Sequence, residues 1–495
     1  MDMRVDPLVA DPALAAKVRR IAQGGAPRVV DLFAGCGGIS LGFHRAGFAI
    51  SAAVELDAHA SRTHALNFHG GDRDTLEAHA KSRDITAIEP EDLCRELNLG
   101  SVDSAVDVLV GGPPCQAYAR VGRAKLREIA EHPDAYRLDP RRNLYLRYVQ
   151  WVDRLKPLAL LIENVPDMLN QAGHNVADEI VDLLDGHGYV ARYSLINTAF
   201  HGVPQMRDRV FIVGYRKELG VVPELPAPTR HLVLPSGYQG TRAVALKHVD
   251  LLGLGPYVQP TQDVRLPYAV TAEQAIGDLP KIDGDSVKRG ARRPGPDTFV
   301  KYRRVNDICG YAKMMREWPG FEATDGVEDH LIRCLPRDGA IFEAMPSGAE
   351  YPEAHSVATR LFKEQAALDG LRPGTKAWVL LEREMVPPYR TDTFPNRWWK
   401  LIKDEPSRTL MAHLGKDCYS HIHYDGAQRR TISIREAARL QSFPDGFKFF
   451  GTMNPSLKQV GNAVPPIMSW EIAKVIHAGL QSGVTRLSAD RSAES

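Results

Sequence analysis

Three short segments place reactive side chains at the ends of apolar runs. In VLVGGPPCQAY (108–118), Cys115 follows a buried strand pattern and two prolines. A stiff loop there suits a nucleophile, although a cysteine is more often a small buried hydrophobe. In LLIENVPD (160–167), Glu163 and Asn164 close another apolar run, where a carboxylate is costly without a partner or a task. In PQMRDRVFIVG (204–214), Arg207 and Arg209 open a third. A thiol, a carboxylate and a guanidinium at neighbouring strand ends match the needs of a pyrimidine ring. They would supply attack at C6, a proton relay at N3 and a donor to O2.

A second constellation lies earlier. DLFAGCGG (31–38) is a glycine turn between a strand pattern and a helix pattern. Such a turn lets a ligand approach backbone amides at a helix N-terminus. Its spacing is not GxGxxG, which counts against a dinucleotide and against a nicotinamide oxidoreductase. Glu55 ends the next strand, where an acid can hold both ribose hydroxyls. Phe33 could cover an adenine face. Asp84, in RDIT (83–86), falls near the end of a possible third strand and could accept from an adenine amino group. Taken singly, Phe33 reads as core and Asp84 as a loop cap. Taken together and in order, they favour an adenosine-containing cofactor.

These residues need a sheet to hold them. Strand patterns at 28–33, 48–55, 106–112, 158–164, 189–198 and 209–215 alternate with helical patterns at 37–47, from 57, 143–155 and 176–188. That alternation predicts parallel βαβ units in a doubly wound α/β sheet, with ligands at the carboxyl ends of the strands. A short helix over 12–23 leads in. Residues 216–400 are rich in Pro, Gly and mixed charge and read as a loop-rich insert. Helical spacing returns at 433–443 and 465–480, and the last residues read as a flexible polar tail.

The 495 residues allow one large domain and one or two smaller ones. Lys and Arg total 62 against 61 Asp and Glu, so a nucleic-acid surface must be local. KRGARRPGPDTFVKYRR (288–304) is such an excess, with Phe299 and Tyr302 between the cations. It suits phosphate contacts, or is a solvated loop. NRWWKL (396–401) reads as packing. Six cysteines without a CxxC pair fit a reducing, intracellular setting, and the N-terminus lacks the pattern of a secretory signal. No run is apolar enough to span a bilayer. A metal is conceivable among the histidines of HLGKDCYSHIHYDG (413–426), but strand-edge roles fit better and no metal is expected.

DLFAGCGG, VELD, RDI, GGPPCQ, RRNLYL, IENV, QMRDR, REAARLQSFPD and QVGNAVPP occur in this order. Through them the chain resembles the DNA (cytosine-5) methyltransferases over roughly 28–215 and 400–475. The resemblance implies a Rossmann-like methyltransferase sheet with a smaller target recognition domain. It implies S-adenosylmethionine as methyl donor and methylation of a flipped-out cytosine in a specific duplex sequence. It assigns 1–215 and 401–482 to the catalytic domain, 216–400 to target recognition and 483–495 to the tail. Phe33, Gly35, Gly38, Glu55, Leu56, Asp84, Ile85, Pro113, Leu144, Asn462 and Val464 would line the cofactor site. Cys115 would be the nucleophile, Glu163 would engage N3 and the 4-amino group, and Arg209 would contact O2. Asn164, Arg207 and Gln205 would support them. Gln116, Arg120, Arg123, Arg292, Arg293, Arg303 and Arg304 would face DNA. QVGNAVPP would return to the cofactor with its helix against the leading strand. In REAARLQSFPD, Arg435 and Glu436 would be structural. Ala119 stands where the family often has a serine, and Arg120 and Arg123 could replace that phosphate contact.

The implied setting is a bacterial restriction-modification or phage-defence methylase, cytoplasmic and close to the nucleoid. A partner nuclease or defence complex would go with it. Two rivals remain open: a tRNA cytosine-5 methyltransferase, disfavoured by the long insert, and a catalytically silent DNA-binding subunit, disfavoured by intact Cys115, Glu163 and Arg209.

Overall fold

Six apolar strands line up in the order β2-β1-β3-β4-β6-β5. They are β1 (Arg28–Leu32), β2 (Ala49–Val54), β3 (Val108–Gly111), β4 (Ala159–Asn164), β5 (Tyr189–Asn197) and β6 (Asp208–Arg216). The structure is a computed structural model describing residues 7–114, 144–171, 173–251, 253–286, 298–303, 308–393, 395–416 and 418–494. Cys115, Gln116, Arg120, Arg123, Arg292, Arg293 and Arg304 lie outside the described residues.

The first four strands are parallel and level. Leu32 pairs with Val54 on one side and Gly111 on the other, and Gly111 pairs with Ile162. One residue further on, Phe33, Glu55, Gly112 and Glu163 therefore form a row along the carboxyl edge. The chain winds from β1 outward to β2, then crosses to β3 on the other side. The gap between β1 and β3 is thus a topological switch point, where open α/β sheets take their ligands.

The all-parallel expectation fails at β6, which runs antiparallel to both β4 and β5. The link from β5 to β6 is too short for a crossover helix, so the chain returns as a hairpin. The reversal matters for chemistry, because it brings the start of β6 to the same edge as the end of β4.

Helices cover the sheet: α1 (Pro12–Ala22), α2 (Gly38–Arg45), α3 (Ala58–Phe68), α4 (Leu144–Leu155) and α5 (Val176–Gly186). Asp11 caps α1, Asp57 caps α3 and Asn175 caps α5 with side-chain oxygens, satisfying backbone amides that would otherwise lack partners. The third strand expected around RDIT is absent. Residues 84–88 form a turn, in which Asp84 Oδ1 accepts from the Thr86 amide at 2.9 Å and its hydroxyl at 2.7 Å. Short polar side chains compete with a strand ladder in this way.

Two compact units emerge. One holds the sheet up to Gly202, Met206–Tyr268 and the chain from Ala463 onward; the other holds Val203–Gln205 and Ala269–Asn462. Part of the expected insert therefore belongs with the sheet. The Pro256 carbonyl accepts from Tyr193 N at 3.0 Å, and Val258 N donates back to Tyr193 O at 2.8 Å. Two backbone bonds thus cover the outer strand β5, an edge that would otherwise be open.

Within the second unit, helix α6 (Tyr351–Leu368) buries Tyr351, Ala354, Ala358, Phe362 and Ala366 on one stripe. Trp398 is buried against Phe342 and Tyr351 and stacks on Tyr419 at 4.5 Å between centroids. Helix α7 (Ile434–Leu440) starts with Ser433 and Glu436 bonding each other's backbone amides. In the first unit the last helix, α8 (Pro466–Glu494), continues through the residues expected to be a flexible tail. Among the described residues, no helix is long and apolar enough to cross a membrane.

Candidate active site

The carboxyl edge assembles from neighbouring strand ends. Glu163 stands second to last in β4 and Arg209 second in the reversed β6; Arg209 Nε meets Glu163 Oε1 at 2.9 Å. Both side chains are about one-seventh exposed, 13% and 14%. The pair is therefore shielded enough to matter yet open to a ligand. Gly112 explains how Glu163 fits. A Cβ at Gly112 would lie 2.9 Å from Glu163 Oε2, so any side chain there would crowd the carboxylate.

Asn164 ties this pair to the cysteine loop. Its side-chain amide donates to the Pro113 carbonyl at 2.8 Å, and its Oδ1 accepts from the Val165 amide at 2.9 Å. The chain segment that leads into Cys115 is thus anchored next to Glu163. Arg207 is buried close to the pair. Burial pulls its pKa well below the usual guanidinium value, Arg209 adds to that and Glu163 opposes it.

The glycine turn sits on the other side of the switch point. Glu55 Oε2 accepts from the Gly35 amide at 2.8 Å, and Oε1 accepts from the Asp57 amide at 2.7 Å. Phe33 adopts φ 59° and Gly35 φ 56°, and a Cβ at Gly35 would meet nothing within 4 Å. Space is therefore open at Gly35 but closed at Gly38, where a Cβ would lie 2.2 Å from the Val464 carbonyl oxygen. The free space at Gly35, a strand-end carboxylate and the half-buried ring of Phe33 fit an adenosine group with a charged tail.

The other expected cofactor residues divide. Leu56 is 65% exposed, and Asp84 is exposed in its turn. Ile85 is core, but its carbonyl is held by Arg147 Nε at 2.7 Å. Leu144 starts α4 and packs on the core beneath the sheet. Asn462 ends a helix of the second unit, whereas Val464 packs on Gly38 in the first. The QVGNAVPP helix α8 lies on α2 rather than on the leading strand: a Cβ at Gly42 would be 2.4 Å from the Trp470 amide. Gln205 is engaged inside the second unit. Its Nε2 donates to the Leu440 carbonyl at 3.2 Å and to Gln441, and its Oε1 accepts from the Leu410 amide at 2.9 Å.

Two residues went unnoticed in the sequence. Arg147 holds the carbonyls of both Ile85 and Ile88 and so fixes the turn that carries Asp84. Its signal was a charge on the buried stripe of α4. Gly112 makes room for Glu163, and no sequence pattern announces that contact.

Of the basic stretch, Arg303 is exposed, but Tyr302 is not available to a phosphate. Its hydroxyl bonds Asp445 and Arg316 lies over its ring at 3.6 Å. In REAARLQ, Arg435 donates to the carbonyls of Glu328, Pro444 and Phe447, and Glu436 pairs with Arg430 at 2.6 and 2.7 Å. Of the histidines in 413–426, His423 is buried 3.5 Å from Glu436 and its Nδ1 accepts from the Asp425 amide, whereas His421 Nε2 lies 3.3 Å from the Arg408 carbonyl.

Comparison with known proteins identifies the family and the fold. The C-5 cytosine-specific DNA methylase family matches residues 27–320 and 340–478. The chain is 35% identical over 470 residues to a provisionally named type II methyltransferase of Oceanobacillus iheyensis, M.OihORF3336P, covering 92% of this chain and 96% of that one. It is 30% identical to the type II methyltransferase M.AgeI of Thalassovita gelatinovora, covering 92% and 100%. The crystal structure of a provisionally named DNA modification methyltransferase from an E. coli prophage superposes with TM-score 0.58 at 21% identity, covering 92% of this chain and 100% of that one, and shares the fold. The Rossmann-like methyltransferase sheet, the ordered motifs and these matches lead to one assignment: the chain belongs to the C-5 cytosine-specific DNA methylase family.

Proposed function

We propose that the chain transfers a methyl group from S-adenosylmethionine to C5 of a cytosine in a specific duplex DNA sequence, with Cys115 as the covalent nucleophile. The observation that carries this reading is the Glu163–Arg209 pair at the carboxyl edge, beside the Pro113 carbonyl that Asn164 holds. Cys115 is two residues beyond that anchor.

Cytosine C5 is a poor nucleophile until a thiolate adds to C6. Addition makes C5 electron-rich and splits one difficult step into two easier ones. Glu163 shares a proton with N3 and so stabilises the charge that develops as sulfur adds. Arg209 holds the Glu163 carboxylate and donates toward O2. The methyl donor supplies an electrophilic carbon on a sulfonium. Glu55 would take its ribose hydroxyls, Phe33 would cover its adenine and the space at Gly35 would receive its tail. After methylation a base removes the C5 proton and Cys115 leaves. The target carbon is out of reach in a stacked duplex, so the base is flipped out, at a cost of a few kcal/mol.

The relatives' type II designations support a place in a restriction-modification system, with a nuclease of the same specificity as partner. Labelled methyl transfer to duplex DNA and to tRNA, followed by bisulfite mapping of the modified strand, tests the reading. It requires modified cytosines at one recurring duplex sequence. Transfer to tRNA alone would overturn it.

A further inference from the structure

Beneath the glycine turn lies a hydrogen-bonded chain of three fully buried side chains. Asp31 is the last but one residue of β1, Ser40 lies in the first turn of α2, and His64 sits on α3. Ser40 Oγ donates to Asp31 Oδ2 at 2.7 Å and lies 2.9 Å from His64 Nε2. The chain closes on the turn itself. A Cβ at Gly37 would lie 3.0 Å from the His64 ring and 2.6 Å from the Phe68 ring, and Gly37 has φ 99°. From the other side, Glu55 holds the Gly35 amide. The turn that would receive the methyl donor therefore rests on His64 below and Glu55 above.

A serine hydroxyl has one hydrogen, and this dictates how the chain responds to a proton. With Asp31 ionised, Ser40 donates to Asp31 and His64 must present Nε2–H to Ser40. If Asp31 gains a proton on Oδ2, it donates to Ser40. Ser40 then turns its hydrogen to His64 Nε2, and the imidazole carries its hydrogen on Nδ1. Both arrangements fit the same heavy-atom positions, and they differ by a single proton.

We propose that Asp31, linked through Ser40 and His64, is a positioning residue that couples methyl-donor binding at the glycine turn to release of one proton. The inference rests on the cofactor reading above. Burial pushes the Asp31 carboxyl up to about 7; the Ser40 hydrogen bonds oppose this and the Glu55 charge adds to it. The other groups facing this chain do not titrate in the neutral range. Burial and then His69 and His79 hold His64 well below its ordinary value. Burial with His79 takes His69 to about 3, and burial with Arg83 takes His79 to about 4. Their rings stack at 3.6 Å with an interplanar angle of 13°. Burial pushes the thiol of Cys36 up, out of the neutral range, and does the same to the hydroxyl of Tyr148. Glu55 is near enough for its negative charge to favour protonated Asp31. The methyl donor is net positive, its sulfonium and ammonium outweighing its one carboxylate, so at the same turn it acts with the opposite sign and favours the Asp31 carboxylate.

Calorimetry of S-adenosylmethionine binding at pH 6, 7 and 8, in buffers of different ionisation enthalpy, tests this on the intact protein. We expect proton release around pH 7. The Kd should fall as pH rises, about tenfold for each unit by which the donor lowers the Asp31 pKa. Asp31→Asn should bind without proton exchange. Ser40→Ala removes a hydrogen bond that favours the carboxylate, so its binding midpoint should move to higher pH. Donor binding by the wild type with no proton exchange would overturn this inference and leave the cofactor reading standing. No binding at any of these pH values would overturn both.

Discussion

Glu163 illustrates how far a single residue can be read before a structure exists. A carboxylate that closes an apolar strand must have a partner or a task, and here it meets Arg209 at 2.9 Å. The same logic picked out Glu55, although its first partners are the amides of Gly35 and Asp57. Gly112 was not legible, because its role is a contact across strands that no spacing encodes, and the charge of Arg147 on the buried stripe of α4 marked the residue without naming the carbonyls it holds. Glu163→Gln keeps the shape but loses the charge and the shared proton. We expect turnover to drop by about 10²–10⁴-fold, the range for removal of a general acid–base group, while the melting temperature stays near that of the wild type. Parallel single-turnover assays and thermal melts check this; unchanged turnover would count against the role given to Glu163.

Among the elements, the parallel strands were legible from their apolar runs and glycine punctuation. The direction of β6 was not, since a strand pattern is the same read either way. That reversal is what puts Arg209 at the carboxyl edge beside Glu163. Helix α6 was missed because alanines carry much of its buried stripe, and a stripe of Tyr351, Ala354, Ala358, Phe362 and Ala366 looks weak by hydrophobicity alone. The packing of α8 on α2 depends on Gly42, where a Cβ would press on the Trp470 backbone at 2.4 Å. Gly42→Val should destabilise the first unit by about 1–3 kcal/mol or more, the cost of overpacking a tight contact. Denaturant titration measures it. A variant as stable as the wild type would show that the two helices can part without loss.

For the whole molecule, the legible part is the motif-bearing sheet and the illegible part is the boundary of the second unit. Residues 206–268 join the sheet through backbone bonds such as Tyr193 to Pro256, which composition does not reveal. The second unit adds buried charges to its apolar stripe. Burial alone would raise the Glu436 carboxyl, but Arg430 and then His423 outweigh it and hold it well below the usual range. A depressed acid stabilises the fold above its unfolded pKa, and that contribution is lost as pH falls through the folded value. Glu436→Gln leaves Arg430 buried without its carboxylate, which should cost about 3–5 kcal/mol at neutral pH. The gap from wild type should narrow once pH drops below about 4. Thermal melts across that range report it, and a pH-independent gap would mean that the ion pair is not what is lost.

The account turns on sulfur adding to a base whose C5 must then lose a proton. Duplex DNA carrying 5-fluorocytosine at the methylated position offers no such proton, so the enzyme should remain attached. Incubated with S-adenosylmethionine, the wild-type chain should yield a denaturation-resistant protein–DNA adduct that maps to Cys115, and Cys115→Ser should yield none. A wild-type protein that methylates ordinary duplex but leaves no adduct on the fluorinated one would contradict the mechanism.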